Sequence, residues 1–106
     1  AGAIAGQEDE ALELAAAREL EEETGWRPGK VARLVAGPVS AGLTTEIVTF
    51  FRATELTRVS DGGGDEHEDI VVHAVPLADV ERWLAAKVAA GVMVDPKVYS
   101  ALWFTR

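Results

Sequence analysis

The stretch Arg18-Glu19-Leu20-Glu21-Glu22-Glu23-Thr24-Gly25-Trp26 decides how the chain is read. Glu19, Glu22 and Glu23 are spaced i, i+3 and i+4, so a helix stacks them on one face. Like charges at this spacing repel by about 0.2–0.5 kcal/mol per pair in water. A bound cation removes that cost. Hard divalent ions such as Mg²⁺ take carboxylate oxygens and keep water or phosphate oxygens as their other ligands. The residues alone therefore leave two readings, a helix-borne magnesium site facing a phosphorylated substrate and an ordinary solvated acidic face.

Working outward, Asp9 or Glu8 is the expected N-cap of this helix, which runs to about Glu23, with residues 1–9 as a loop. Leu12, Ala15, Ala16 and Leu20 give it an apolar stripe. Gly25 is a C-terminal stop and Pro28 prevents continuation. Arg18 lies one turn before Glu22 and is placed to pair with it, as an orienting partner or as a plain surface ion pair.

Beyond the helix, Val31 to Val35 reads as a short strand. Glu46 to Ala53, β-branched and aromatic, reads as the best strand in the chain. Gly37-Pro38 and Ser40-Ala41-Gly42 punctuate the loop between them. Gly62-Gly63-Gly64 reads as a mobile loop leading to Glu66-His67-Glu68-Asp69. A glycine hinge followed by carboxylates suits a closing catalytic loop, and a solvated acidic turn fits equally. His67 and His73 lack metal-ligand spacing, so His67 reads as a bystander. Ile70 to Val75 reads as a strand ended by Pro76. A helix opens at Leu77 with Leu77, Val80, Trp83 and Leu84 as its core face, and Gly91 ends it. Val92 to Val94 reads as extended. Asp95 caps a last helix with Pro96 at its first position, and Tyr99, Leu102 and Trp103 face inward.

Composition bounds the rest. A length of 106 residues suits one domain, residues 1–106, and a modest core. Hydrophobic content of 48% marks a globular chain. A net charge of −8 without a basic run argues against nucleic acid and anionic membrane as partners. Without cysteine there is no thiol chemistry. No signal peptide or long apolar run appears, so a cytoplasmic location is expected.

Glu10, seven residues, then Arg18 to Trp26 match the second half of the Nudix box, and the chain resembles the Nudix hydrolases. Ile4 stands where the box spacing places a glycine, and Gly2 is the equivalent with two further residues in the loop. The segments Ser40–Glu46, Glu66–Pro76 and Val94–Ser100 are similar to those of the ADP-ribose pyrophosphatase subfamily. The resemblance implies an α/β fold, a Nudix-type α/β/α sandwich with a mixed sheet, whose amino-terminal strands are absent from this chain.

It further implies Mg²⁺, with Mn²⁺ as a substitute, held by the Ala1 carbonyl and by Glu19, Glu22, Glu23 and Glu68. It assigns Glu66 as general base, with Glu66 and Glu68 able to exchange roles, and places Arg18 and Glu22 in the catalytic set. Ser40, Gly42 and Leu43 become substrate-binding candidates. The implied reaction is hydrolysis of ADP-ribose, or a similar nucleoside diphosphate derivative, to AMP and a sugar phosphate. An exposed sheet edge favours pairing with another chain, so a homodimer is expected. Ala41 stands where the subfamily carries a proline, which weakens ADP-ribose preference and makes a sugar-nucleotide or dinucleotide pyrophosphatase the second expectation. An inactive Nudix-fold fragment or binding module is the non-enzymatic alternative.

Overall fold

The computed structural model describes residues 2–66 and 68–106, with side chains from residue 11 onward. Ala1 and His67, named above as a metal-binding carbonyl and a bystander, lie outside the described residues. The chain divides into two units, Ala1–Val72 and His73–Arg106.

In the first unit, α1 spans Gly2–Thr24. It starts well before the expected cap at Glu8 or Asp9. The reason is composition: the preceding residues are alanine-rich and free of proline, and two glycines at about 1 kcal/mol each do not stop a helix that alanine favours. At the other end Gly25 takes φ +82° and its N–H donates to the Glu21 carbonyl at 2.8 Å, the left-handed cap expected there.

Strand β1 (Trp26–Pro38) follows at once, and β2 (Ile47–Arg58) pairs with it antiparallel. The register runs from Trp26 opposite Arg58 to Pro38 opposite Ile47, with a bulge between Arg33 and Val35. Both strands are longer than the sequence indicates, because each completes the other's ladder beyond its strongest β-formers. Helix α1 packs on β1, and a groove of about 390 Å³ between them is lined by Glu13, Leu14, Ala17 and Val31.

Among the described residues the sheet is this one antiparallel pair. Ile70–Val75 and Val92–Val94 are not in a ladder, contrary to the strand expected at Ile70 to Val75. β-propensity favours an extended chain, but a strand also needs a partner's hydrogen bonds, and neither segment has one here.

In the second unit a 3₁₀ turn at Leu77–Asp79 leads into α2 (Val80–Ala89), and α3 spans Pro96–Trp103. Gly91, at φ +92°, ends α2 as expected. Asp95 caps α3: its Oδ1 accepts from the Lys97 N–H at 2.9 Å, with Pro96 at the first helical position. That bond, with the Lys97 ammonium second, holds the Asp95 carboxyl below its ordinary pKa.

Leu84 is the buried apolar residue of this unit, 6% exposed. Trp83 lies beside it in sequence, with the His73 ring 5.0 Å from its ring and the Lys87 ammonium 5.3 Å over its face. Leu77, Tyr99 and Trp103, expected to face inward, are 63%, 47% and 59% exposed. A short 3₁₀ turn and an eight-residue helix cannot enclose every apolar side chain at helical spacing.

Candidate functional site: the end of the acidic helix and the glycine loop

The last turn of α1 carries glutamates and no basic residue. This is the electrostatically unfavourable arrangement, since the C-terminal end of a helix bears the negative half of its dipole. Glu21 is set apart from the cluster. Its Oε1 accepts from Arg27 Nε, and that hydrogen bond, with the charge attraction second, raises the Arg27 pKa. Arg18 approaches Glu22 at 4.0 Å with both side chains about two-thirds exposed, so the expected pair forms as a loose surface contact. Glu19 is exposed and Glu23 half-buried.

The four carbonyls at a helix end lack intrahelical partners. Here the glycine loop supplies two of them. Gly64 N–H donates to the Glu22 carbonyl at 2.9 Å, and Gly63 N–H donates to the Glu23 carbonyl at 2.7 Å. The Gly25 carbonyl accepts from Val59 at 2.8 Å and from Ser60 at 3.3 Å. Gly62 N–H donates to Ser60 Oγ at 3.2 Å. The loop read from sequence as a mobile hinge is thus bonded to the helix that carries the glutamates. The signal for this lay in Gly25 and Gly62–Gly64 together, since a run of left-handed residues is open only to glycine.

Four residues after Gly64, Glu68 folds back over the loop. Its Oε1 accepts from Asp65 N–H at 3.3 Å, and its own N–H donates to the Asp65 carbonyl at 3.1 Å. Glu66 is exposed on the same loop. The structure therefore brings the acidic loop and the end of α1 together through backbone bonds. Among the described residues, their carboxylates do not converge into a three-ligand cluster.

Ser40, Gly42 and Leu43 lie elsewhere, at the turn between β1 and β2, the end of the hairpin opposite the glycine loop. The Ser40 carbonyl accepts from the Leu43 and Thr44 N–H groups at 3.1 Å, Gly42 takes φ +84°, and Leu43 is 88% exposed.

Comparison with known families finds the NUDIX domain over residues 5–95. The chain belongs to the Nudix family. Among curated Nudix proteins, the GDP-mannose pyrophosphatase of Enterobacter sp. (strain 638) is 41% identical over 72 residues, 66% of this chain and 38% of that protein. The ADP-ribose pyrophosphatase of Bacillus subtilis (strain 168) is 39% identical over 82 residues, 76% of this chain and 44% of that protein. The chain thus spans less than half the length of these curated relatives.

Whether a Nudix divalent cation suits this chain is decided by its donors. Glu19, Glu22, Glu23, Glu66 and Glu68 offer oxygen ligands only, the set that hard divalent cations prefer over softer ones. All are exposed or half-exposed, so their side chains can turn toward an ion at little cost. The donor set fits. No helix among the described residues is long and apolar enough to cross a membrane.

Proposed function

We propose that residues 1–106 form part of a Nudix pyrophosphohydrolase that splits the diphosphate bond of ADP-ribose or a similar nucleoside diphosphate derivative. The observation that carries this reading is the pair of bonds from Gly63 and Gly64 to the Glu23 and Glu22 carbonyls. They put a loop bearing Glu66 and Glu68 at the end of the helix bearing Glu19, Glu22 and Glu23. The names of the curated relatives support the substrate class.

Glu19, Glu22, Glu23 and Glu68 would hold Mg²⁺ or Mn²⁺, with the Ala1 carbonyl as a further donor. When bound there, the metal supplies charge neutralisation at the diphosphate and a lowered pKa of bound water. Glu66 accepts the proton of the attacking water as general base. The water oxygen bonds to one phosphorus, and the bond from that phosphorus to the bridging oxygen breaks. AMP and ribose 5-phosphate are the products from ADP-ribose. Arg18 would orient Glu22 only once a bound cation and substrate draw the loose pair closer. Ser40, Gly42 and Leu43, at the opposite end of the hairpin, would reach this substrate from a second copy of the chain.

A second reading has a specific observation behind it. Ala41 replaces the proline of the ADP-ribose subfamily, and several relatives are named GDP-mannose pyrophosphatases, so a sugar nucleotide is the alternative substrate. Turnover of ADP-ribose and GDP-mannose, each with and without Mg²⁺, separates the two. Folded protein that turns over neither of them would leave the binding-module reading. Glu66→Gln is expected to lower turnover by about 10²-fold or more with Mn²⁺ affinity kept. A large loss of affinity instead makes Glu66 a ligand and moves the base to Glu68.

Homodimer formation belongs to the same proposal. Among the described residues the sheet has two strands, so each has one edge outside the ladder, and such edges favour pairing with another chain. Light scattering at micromolar concentration should give twice the chain mass, and a stable monomer contradicts it.

A further inference from the structure

The glycine run does more than connect β2 to the acidic loop. Gly62, Gly63 and Gly64 take φ +72°, +98° and +75°, three left-handed residues in succession. Gly25 on the helix side takes φ +82° and is buried. The two sides meet backbone to backbone. A Cβ on Gly62 would stand 2.4 Å from the Thr24 carbonyl carbon and 2.7 Å from the Glu23 carbonyl oxygen. A Cβ on Gly64 would stand 2.7–2.9 Å from atoms of the Glu68 side chain. Gly91 gives a contrast elsewhere in the chain: it is left-handed too, at φ +92°, yet a Cβ there meets nothing within 4 Å.

The requirement for glycine at 62 is therefore spatial as well as conformational; at 64 it is conformational, and a Cβ there would displace the Glu68 side chain. A linker needs neither property. What the close approach achieves is a fixed register. Gly63 and Gly64 reach the Glu23 and Glu22 carbonyls, and Glu68 closes against Gly64. The residue that bonds the helix backbone at Glu22 is thus the one on which the loop carboxylate rests. Two amide donors at the helix end also offset its negative dipole beside the glutamates.

We propose that Gly25 and Gly62–Gly64 form a clasp that sets the acidic loop in register with the acidic helix, making Gly62 and Gly64 positioning residues for the cation and the diphosphate. This rests on the pyrophosphohydrolase reading for its catalytic consequence. The clasp acts through Glu22, Glu23 and Glu68 and touches no substrate itself. Because the glutamates keep their chemistry when the clasp opens, the loss falls on metal affinity and on kcat, with KM little changed.

The test compares the parent, Gly62→Ala, Gly64→Ala and Gly91→Ala by Mn²⁺ titration calorimetry, by amide hydrogen exchange, and by kcat and KM for ADP-ribose and GDP-mannose. Gly62→Ala and Gly64→Ala should each raise the Mn²⁺ dissociation constant about tenfold and lower kcat about tenfold or more, the scale of lost outer-shell support. Their KM should stay within about twofold of the parent. Gly91→Ala, with the same kind of backbone strain and no overlap, should keep both values within about twofold of the parent.

In the parent, the Gly63 and Gly64 amides should be protected from exchange. Equal Mn²⁺ affinity and equal kcat in folded Gly62→Ala and parent overturn the clasp. So does exchange of the parent's Gly63 and Gly64 amides at unprotected rates, an outcome that does not require any variant to fold. Absence of turnover in every form, with the tenfold affinity loss still seen in Gly62→Ala, removes the pyrophosphohydrolase reading and upholds the clasp.

Discussion

The C-terminal end of α1 and the α2–α3 region are held in different ways. At the helix end, five backbone bonds join Gly25, Glu22 and Glu23 to residues 59–64 or to the preceding turn of α1, and glycines allow the backbones to touch. In α2–α3, side chains carry the fold: Leu84 is buried, Trp83 is flanked by His73 and Lys87, and Tyr99 and Trp103 remain largely exposed. Backbone bonds fix distance and direction to a fraction of an ångström, whereas apolar contact fixes volume and tolerates repacking. The backbone attachment lies on the segments that carry Glu22, Glu23 and Glu68.

Substitutions can break or sharpen this contrast. The largest effect on stability is expected from Gly25→Ala, whose Cβ would sit 2.1 Å from the Ser60 carbonyl oxygen in a left-handed conformation. The cost should be about 3 kcal/mol or more, read as a lowered denaturation midpoint of the first unit. A loss below about 1 kcal/mol would mean that the clasp yields easily.

Leu84→Ala comes next. It removes the buried leucine of the second unit and should cost about 2–3 kcal/mol, the lower part of the usual range, because its half-exposed neighbours can close on the gap. Turnover measured well below the melting range should stay close to the parent's. A tenfold fall in kcat at full folding would show that α2 serves the chemistry directly.

The smallest effect belongs to Asp95→Ala at the start of α3. It should lower the thermal midpoint by less than Leu84→Ala does. Its pH dependence has a definite sign. The Asp95 carboxyl is held below its ordinary value in the folded chain, so its contribution is complete above the ordinary carboxyl pKa of about 3.9 and is lost as pH falls through the folded value. Parent and variant midpoints should therefore differ at neutral pH and converge in acid. A gap that widens in acid would exclude this assignment.

How much of this could be read in advance follows the range of the forces involved. Local signals were legible: the glutamate spacing of α1, the stop at Gly25, the strand containing Phe50 and Phe51, and the Asp95-Pro96 start of α3 all depend on neighbours within one turn or along one strand. The start of α1 lies ahead of the expected cap because the alanines around Gly2 and Gly6 sustain the helix. Ile70–Val75 has strand residues, but a ladder is a property of two segments, and its partner cannot be read from its own residues.

The glycine run was the most instructive case. Gly62–Gly64 has the composition of a hinge, and its docking depends on carbonyls some forty residues earlier in the chain. The identities of Glu66 and Glu68 as candidates were visible in the sequence, while the backbone path that brings them to α1 was not.

The central claim is that the α1 glutamates hold a cation for hydrolysis of a diphosphate. Its most direct test is phosphomonoester release from ADP-ribose and GDP-mannose, with and without Mg²⁺, on the parent and on Glu23→Gln. This swap removes one charge at a half-buried position and keeps the side chain's shape. The parent should show Mg²⁺-dependent release on at least one of the two substrates. Glu23→Gln should lose about 10²-fold or more of that rate with an unchanged far-ultraviolet circular dichroism spectrum. Equal Mg²⁺-dependent rates for parent and Glu23→Gln would contradict the central claim.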